Sequence, residues 1–412
     1  MKNNFNLQLI RESFPILKRR INNKPIVYLD SAAMSLKPKS VIEAVSGYYS
    51  KYSANVFRGI YKLSEEATEK YENTRKKVAV FINAETEREV IFVRNTTEAI
   101  NLVAYSYGRL NIGKNDEVVT TIMEHHSNFL PWQDLVLENA AILKILDIDK
   151  NGLLDLSNIE KVVSKKTKLF ALVHVSNAIG TINQVKKIIQ IVKRINPNCI
   201  ILVDGAQSVP HLRVDVKDLG CDFLAFSGQK MLGPTGAGVL WGKKEILESM
   251  PPFLFGGEMI REVYVNKAVF AEIPHKFEAG TPHIGGVIGL GEAVDYLSYI
   301  GMDNVRQHEK ELTSYALSKM REIKDLDIYG PMDPEVRGGV VSFNIKGVHA
   351  HDVAQFFDSE NICVRSGHHC TMPLHTRLKI SFSVRATFYL YTTKEEIDKL
   401  TDAVLKVKKI FR

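Results

Sequence analysis

The chain has 412 residues, of which 45% are hydrophobic and 25% charged, with a formal net charge of +7 at pH 7. That length exceeds one ordinary compact core and predicts two domains, and the balance excludes a disordered or fibrous chain. The lysines and arginines form no basic stripe with interleaved aromatics, and no run reaches the ~18 apolar residues of a membrane span, so neither nucleic acid nor a membrane is expected as a partner. The N-terminal segment MKNNFNLQLIRESFPILKRR holds no apolar stretch of signal-peptide length. Cys199, Cys221, Cys363 and Cys370 include no CxxC pair, which suits a reducing cytoplasm better than a disulfide or zinc framework.

In chain order, EVIFV (89–93) predicts a strand and the stretch from Glu98 a helix. Strands are then expected at Glu117–Thr121, LFALVHV (169–175), IILV (200–203) and FLAF (223–226), with a helix over Gln184–Ile195. This repetition predicts an α/β fold with a mostly parallel sheet covered on both faces. Further helices are expected from about Gly289 to Ile300 and from about Asn304 to Lys324. Strands come next at VVSFNI (340–345), NICVRSG (361–367) and LKISFSV (378–384), forming a smaller α+β unit. The Gly-rich segments PPFLFGGEM and AGTPHIGG, between about 250 and 286, are expected to be active-site or interface loops.

The residues just beyond each strand matter most. Thr96-Thr97, His125-His126, Asn177, Asp204 and Ser227–Lys230 each come directly after an apolar run. In open α/β sheets ligands bind at the carboxyl ends of the strands, so these groups are expected to converge in one cleft. Lys230, in SGQKMLGPTGAG (227–238), reads alone as a solvated turn lysine or a catalytic one. Asp204, in VDGAQ (203–207), reads alone as a cap. Together they match pyridoxal phosphate chemistry, which needs a lysine for covalent attachment and a carboxylate to keep the ring nitrogen protonated. Thr96-Thr97 open a helix, where amides and hydroxyls can hold a phosphate, or they are a plain N-cap. His125 is placed to stack on the ring or to serve as a structural hydrogen-bonder.

In VRSGHHCTMP (364–373), Cys363 just upstream reads as a buried small hydrophobe, whereas Cys370 falls in an exposed loop beside histidine and arginine, which raise thiolate content. Zinc held by His368, His369 and Cys370 is the competing reading, although adjacent residues seldom place three ligands tetrahedrally. Arg385 suits the two parallel hydrogen bonds of an α-carboxylate, or an interdomain ion pair.

The chain resembles the SufS-type (type II) cysteine desulfurases of the class V aminotransferase family over essentially its whole length. The resemblance rests on LDSAAMSLKP (29–38), ATEKYENTRKKVAVFINA (67–84), MEHHSNFLPWQ (123–133), HVSNAIGT (174–181), VDGAQSV (203–209), GPTGAGVL (233–240), FEAGTPHIGG (277–286), RSGHHCTMPL (365–374) and VRATFYLYTT (384–393). It implies an aspartate aminotransferase-like fold. A large cofactor domain (23–290) with a seven-stranded sheet would precede a small domain (291–412, with 1–22) carrying the cysteine loop. It further implies pyridoxal 5'-phosphate on Lys230, with Asp204 at the ring nitrogen, Gln207 at the phenolic oxygen and His125 over the ring. Thr96, Thr97, Ser227 and Gln229 would hold the phosphate, with Thr281 reaching across from the partner subunit of a homodimer. Asn177, Arg365 and Arg385 would bind L-cysteine, and Cys370 would take its sulfur. The implied activity is conversion of L-cysteine to L-alanine with a persulfide on Cys370, passed to a SufE-like acceptor and a SufBCD-type scaffold for iron–sulfur cluster assembly, with no metal in the site. A selenocysteine lyase and a non-catalytic sulfur-acceptor scaffold are the alternatives. Three departures from the family stand out: Gln229 replaces the histidine before the lysine, Phe57 and Tyr61 replace the histidines of HRGIH, and Thr371 replaces the alanine after the cysteine.

Overall fold

The computed structural model describes residues 5–411. Seven strands build the main sheet: β1 (Val90–Val93), β2 (Glu117–Thr121), β3 (Ile142–Leu146), β4 (Thr167–Val173), β5 (Ile200–Asp204), β6 (Phe223–Ser227) and β7 (Gly238–Gly242). Their order is β1-β7-β6-β5-β4-β2-β3. Only β7 runs antiparallel to its neighbours, so the chain leaves β1, β2, β4, β5 and β6 at one edge of the sheet.

Successive strand residues point to opposite faces, and both faces here are apolar. Phe92, Val119, Phe170, Val203, Leu224 and Val239 belong to the core beneath the helices Lys39–Lys51, Lys62–Phe81, Val185–Ile195 and Ile284–Ile300. Their neighbours Ile91, Val118, Leu169, Leu202, Phe223 and Leu240 pack on the other face, against the helical segments Thr96–Asn111 and Leu130–Glu138.

The second sheet has four antiparallel strands, β8 (Leu326–Tyr329), β9 (Val340–Ile345), β10 (Arg365–Gly367) and β11 (Ser383–Thr387), in the order β8-β9-β11-β10. The helices Met302–Arg321, Ala350–Ser359 and Lys394–Ile410 cover it through Leu312, Leu317, Val353, Phe357, Leu400 and Val404. Val384 and Ala386 of β11 join that core. The alternation therefore turns Ser383, Arg385 and Thr387 the other way. The two-residue strand Val27–Tyr28 pairs in parallel with Ile362–Cys363. Thr387 Oγ1 donates to Leu29 O and accepts from Ala32 N–H, which lays 29–32 along β11. Among the described residues no helix is long and apolar enough to cross a membrane.

Three expectations need correction. LKISFSV is not one strand: Leu378 ends the short helix Met372–Arg377, and pairing starts only at Ser383. NICVRSG is two short strands, which pair with Val27–Tyr28 and with β11. AGTPHIGG is only partly loop, because the helix expected near Gly289 begins at Ile284. Gly285, Gly286 and Gly289 lie inside it, where a side chain would collide with Tyr48, with the helix's own cap residue His283 and with Val45 respectively.

Between the helix Lys62–Phe81 and β1, the fully buried Arg75 donates to both oxygens of Glu278 and to Val90 O. Glu278 also accepts from Tyr71 Oη and Phe92 N–H. Removing the cation would strand a buried carboxylate, a loss of about 3–5 kcal/mol. Arg75→Met should lower unfolding stability by that order in urea denaturation, and a loss below about 1 kcal/mol would refute this role.

Candidate active site

At the carboxyl edge of the main sheet, Thr96, Thr97, His125, Asn177, Asp204, Gln207, Ser227, Gln229 and Lys230 line one cavity of about 170 Å³. The convergence expected from the strand ends is therefore present. Thr281 lies elsewhere, exposed in a neighbouring cleft of about 360 Å³ shared with Phe92, Phe253 and His283. Within one chain it does not reach the cavity.

Each wall has a local reason. Asn95 Oδ1 caps the helix at Glu98 N–H, and Thr96 N–H donates to Ser227 Oγ at 2.8 Å. Thr97 is the one of the first three helical amides without a side-chain partner. Gly238 permits this seat, because a Cβ there would stand 2.6 Å from Asn95 Cα. His125 Nδ1 accepts from Ser127 N–H at 3.1 Å, so the ring proton belongs on Nε2. Gln207 Nε2 donates to Ala32 O. Gln229 is anchored through its carbonyl, which accepts from Ser35 N–H and Lys37 Nζ.

Burial dominates the electrostatics. It lowers the Lys230 amine below the usual lysine range, opposed by Asp204 and assisted by Arg385. It raises the Asp204 carboxyl, against Lys230 and the hydrogen bond from Ala206 N–H. Burial, with Lys230 adding to it, lowers His125 to about 3, so the ring is neutral at pH 7. Glu124, beneath the cavity, is pushed up to about 8 by burial despite hydrogen bonds from Thr121, Val173 and Asn128.

The cysteine loop closes on this edge from the second sheet. Cys370 is exposed. His126 N–H donates to Cys370 O at 2.8 Å, and Asn177 Nδ2 donates to His369 O at 2.8 Å. His369 and Cys370 take φ of +52° and +57°, two consecutive left-handed non-glycine residues that cost about 1–3 kcal/mol each. The docking bonds and the packing beneath hold that geometry. His368, His369 and Cys370 do not form a metal cluster. His369 turns to Ser383 and His368 packs on Phe382, and among the described residues no group of three or more potential ligands is placed to hold an ion.

Arg385 and Arg365 share one residue the sequence reasoning missed. Asp30 accepts from Arg385 Nη2 at 3.2 Å and from Arg365 Nη2 at 3.0 Å, while Arg385 Nη1 donates to Asn177 O. The only signal was an acid at the end of the apolar run IVYLD. His126, expected with His125 in the cleft, does not line the cavity and instead supports the cysteine loop, and Ser127 was missed as the support for His125.

The lining fits pyridoxal phosphate. Asn177 Oδ1, Gln207 Oε1 and Gln229 Oε1 of this lining are buried without a hydrogen-bond partner, which a polar ligand would relieve, and so is Arg385 Nε outside it. A carboxylate at the end of β5 and a lysine in the turn just beyond the adjoining β6 supply the ring-nitrogen partner and the attachment.

The model of the family described as aminotransferase class-V matches residues 27–400. The chain belongs to the aminotransferase class-V family. Among its curated relatives, a probable cysteine desulfurase of Halalkalibacterium halodurans is 51% identical, covering 98% of this chain and 99% of that protein. A cysteine desulfurase of Haloferax volcanii is 45% identical, covering 98% and 97%. The apo structure of a cysteine desulfurase from Thermococcus onnurineus NA1 superposes with a TM-score of 0.93 at 41% identity over 99% of both chains. The cysteine desulfurase CsdA of Escherichia coli, in its S-sulfonic acid form, gives 0.92 at 33% over the whole of both.

The buried histidines set a pH dependence. Burial holds His125, His174 and His369 at about 3, 4 and 2, below the usual 6.5. Lowered folded values mean that the unfolded chain binds more protons below pH 6.5. The cost is absent above that pH and grows as pH falls toward the folded values. The raised Glu124 carboxyl shifts stability the opposite way over the same range, so the rings are followed directly: by NMR all three imidazoles should stay neutral from pH 7 to pH 5. Titration of any of them near 6.5 would contradict the neutral assignment.

Proposed function

We propose that this chain is a pyridoxal-phosphate-dependent cysteine desulfurase in which Lys230 carries the cofactor and Cys370 receives the sulfur. The observation that carries the reading is the docking of the Cys370 loop, through His126 and Asn177, onto the edge of the sheet that holds Lys230 and Asp204.

The bound cofactor supplies an electron sink at the substrate α-carbon. The rest falls to the chain's own residues. Asp204 would hold the ring nitrogen, Gln207 the phenolic oxygen and His125 the ring. Thr96, Thr97, Ser227 and Gln229 would hold the phosphate, with Gln229 able to donate a hydrogen bond but not to carry a proton. Arg385, buried and with Nε unpartnered, receives the substrate carboxylate, with Arg365 beside it and Asn177 Oδ1 as an acceptor. The lowered Lys230 amine is suited to take the α-proton once free. Neutral His125 can receive a proton and pass it on. Cys370 attacks the substrate sulfur, forming an S–S bond as the C–S bond breaks, and the three-carbon remainder leaves as L-alanine.

The partners come from the same reading: a homodimer in which Thr281 completes the phosphate site, a cytoplasmic SufE-like acceptor for the exposed persulfide, and a SufBCD-type scaffold beyond it. The two-domain division at about residue 290 belongs to this reading. Where the family has HRGIH, Ile60 and Tyr61 are exposed and Arg58 pairs with Glu258 at 3.3 Å. Phe57 packs edge-on against Tyr71 and His275. A selenocysteine lyase would use the same cavity without needing the thiol.

The test is alanine formation from L-cysteine with pyridoxal phosphate and a reductant. Wild type should form alanine, and Lys230→Ala and Cys370→Ala should each lose at least about a hundredfold. Equal alanine from Cys370→Ala would favour the lyase, and none from wild type would leave a sulfur-acceptor scaffold.

A further inference from the structure

The nucleophile loop has a second anchorage that the desulfurase reading does not use. Beneath Cys370, four buried side chains form one hydrogen-bonded path. Thr371 Oγ1 lies 3.2 Å from His375 Nδ1, His375 Nε2 lies 3.1 Å from Ser383 Oγ, and Ser383 Oγ lies 3.0 Å from His369 Nε2. The path starts at the residue after Cys370 and ends at the residue before it.

The protons on this path have one consistent order. Thr371 Oγ1 donates to His368 O at 2.8 Å, so its proton is committed. His375 Nδ1 therefore faces two acceptors, that hydroxyl oxygen and Thr371 O at 3.1 Å, and must carry a proton itself. His375 Nε2 is then an acceptor and takes the Ser383 hydroxyl proton. Ser383 Oγ in turn accepts from His369 Nε2–H. Burial lowers both imidazoles, consistent with neutral rings throughout. The Ser383 hydroxyl is thus donor and acceptor at once. Its place is set by β11, whose alternation turns Ser383 and Arg385 to the same side.

We propose that Ser383 and His375 are positioning residues for Cys370, tying both flanks of the strained turn to β11 so that the thiol meets the sulfur of a substrate held by Arg385 on the same strand. This rests on Cys370 as the sulfur acceptor. Two left-handed residues in succession have little intrinsic preference for their conformation; Thr371 N–H closes the turn on His368 O, and the docking bonds reach it from the far side, at the His369 and Cys370 carbonyls and at Met372 N–H, which donates to His126 Nε2. The side-chain path fixes it from beneath. Ser383→Ala removes both hydrogen bonds, whereas Ser383→Thr keeps a hydroxyl and suits a strand.

The experiment compares wild type, Ser383→Ala, Ser383→Thr and His375→Phe as holoenzymes, in two measurements. One is single-turnover alanine formation. The other is the rate of Cys370 alkylation by iodoacetamide without substrate, followed by mass spectrometry of the Cys370 peptide. Positioning predicts that Ser383→Ala and His375→Phe lose at least about tenfold in the turnover. Both should alkylate within about twofold of wild type, and Ser383→Thr should recover the turnover. His375→Phe stands in if Ser383→Ala does not fold. Turnover unchanged in the folded variants, alkylation falling in step with turnover, or Ser383→Thr as slow as Ser383→Ala would each overturn the proposal. Absence of alanine from wild type would instead overturn the desulfurase reading on which the proposal rests.

Discussion

The reactive turn of the cysteine loop is held on the site by two hydrogen bonds to its carbonyls, from His126 N–H to Cys370 O and from Asn177 Nδ2 to His369 O. Both grip the backbone of the loop and leave the Cys370 thiol exposed. A nucleophile that must first attack and later surrender its sulfur needs that arrangement: a fixed Cα and an open Sγ. The cost is the left-handed backbone at His369 and Cys370. The family's alanine is replaced by Thr371 at a buried position, where its hydroxyl bonds within the loop.

Burial does most of the chemical tuning. Burial in the same cavity lowers the Lys230 amine, holds His125 neutral and raises the Asp204 carboxyl, each the expected response of a group losing water. Asp204 and Lys230 counteract one another's shifts, as neighbouring opposite charges should. Arg385 remains beside Asp30, so the corner proposed for the substrate carboxylate already holds a carboxylate of the chain's own.

Much of this was legible in the sequence because parallel-sheet strands are short apolar runs and ligands gather where they end. That rule alone placed Thr96, His125, Asn177, Asp204 and Lys230 together. The Gly-rich segments misled at their far end, since glycines that permit close helix packing look the same as glycines of a loop. LKISFSV misled because Ile380 and Phe382 alternate like a strand, although the chain pairs only from Ser383. Asp30 and Ser383 were not legible as site residues. Their roles depend on contacts with Arg385, Arg365, His369 and His375, which only tertiary pairing creates. Thr281 is a different case, for nothing within one chain brings it to the cavity.

The most direct test of Cys370 as the sulfur-bearing residue is to locate the sulfur after one turnover. The holoenzyme is mixed with a limiting amount of L-cysteine, its free thiols are blocked with an alkylating agent, and its peptides are weighed by mass spectrometry. The added mass of one sulfur atom should appear on the Cys370 peptide and disappear on reduction, with Cys199, Cys221 and Cys363 unchanged. Alanine released with no sulfur on Cys370, or with the sulfur on another cysteine, would contradict the account.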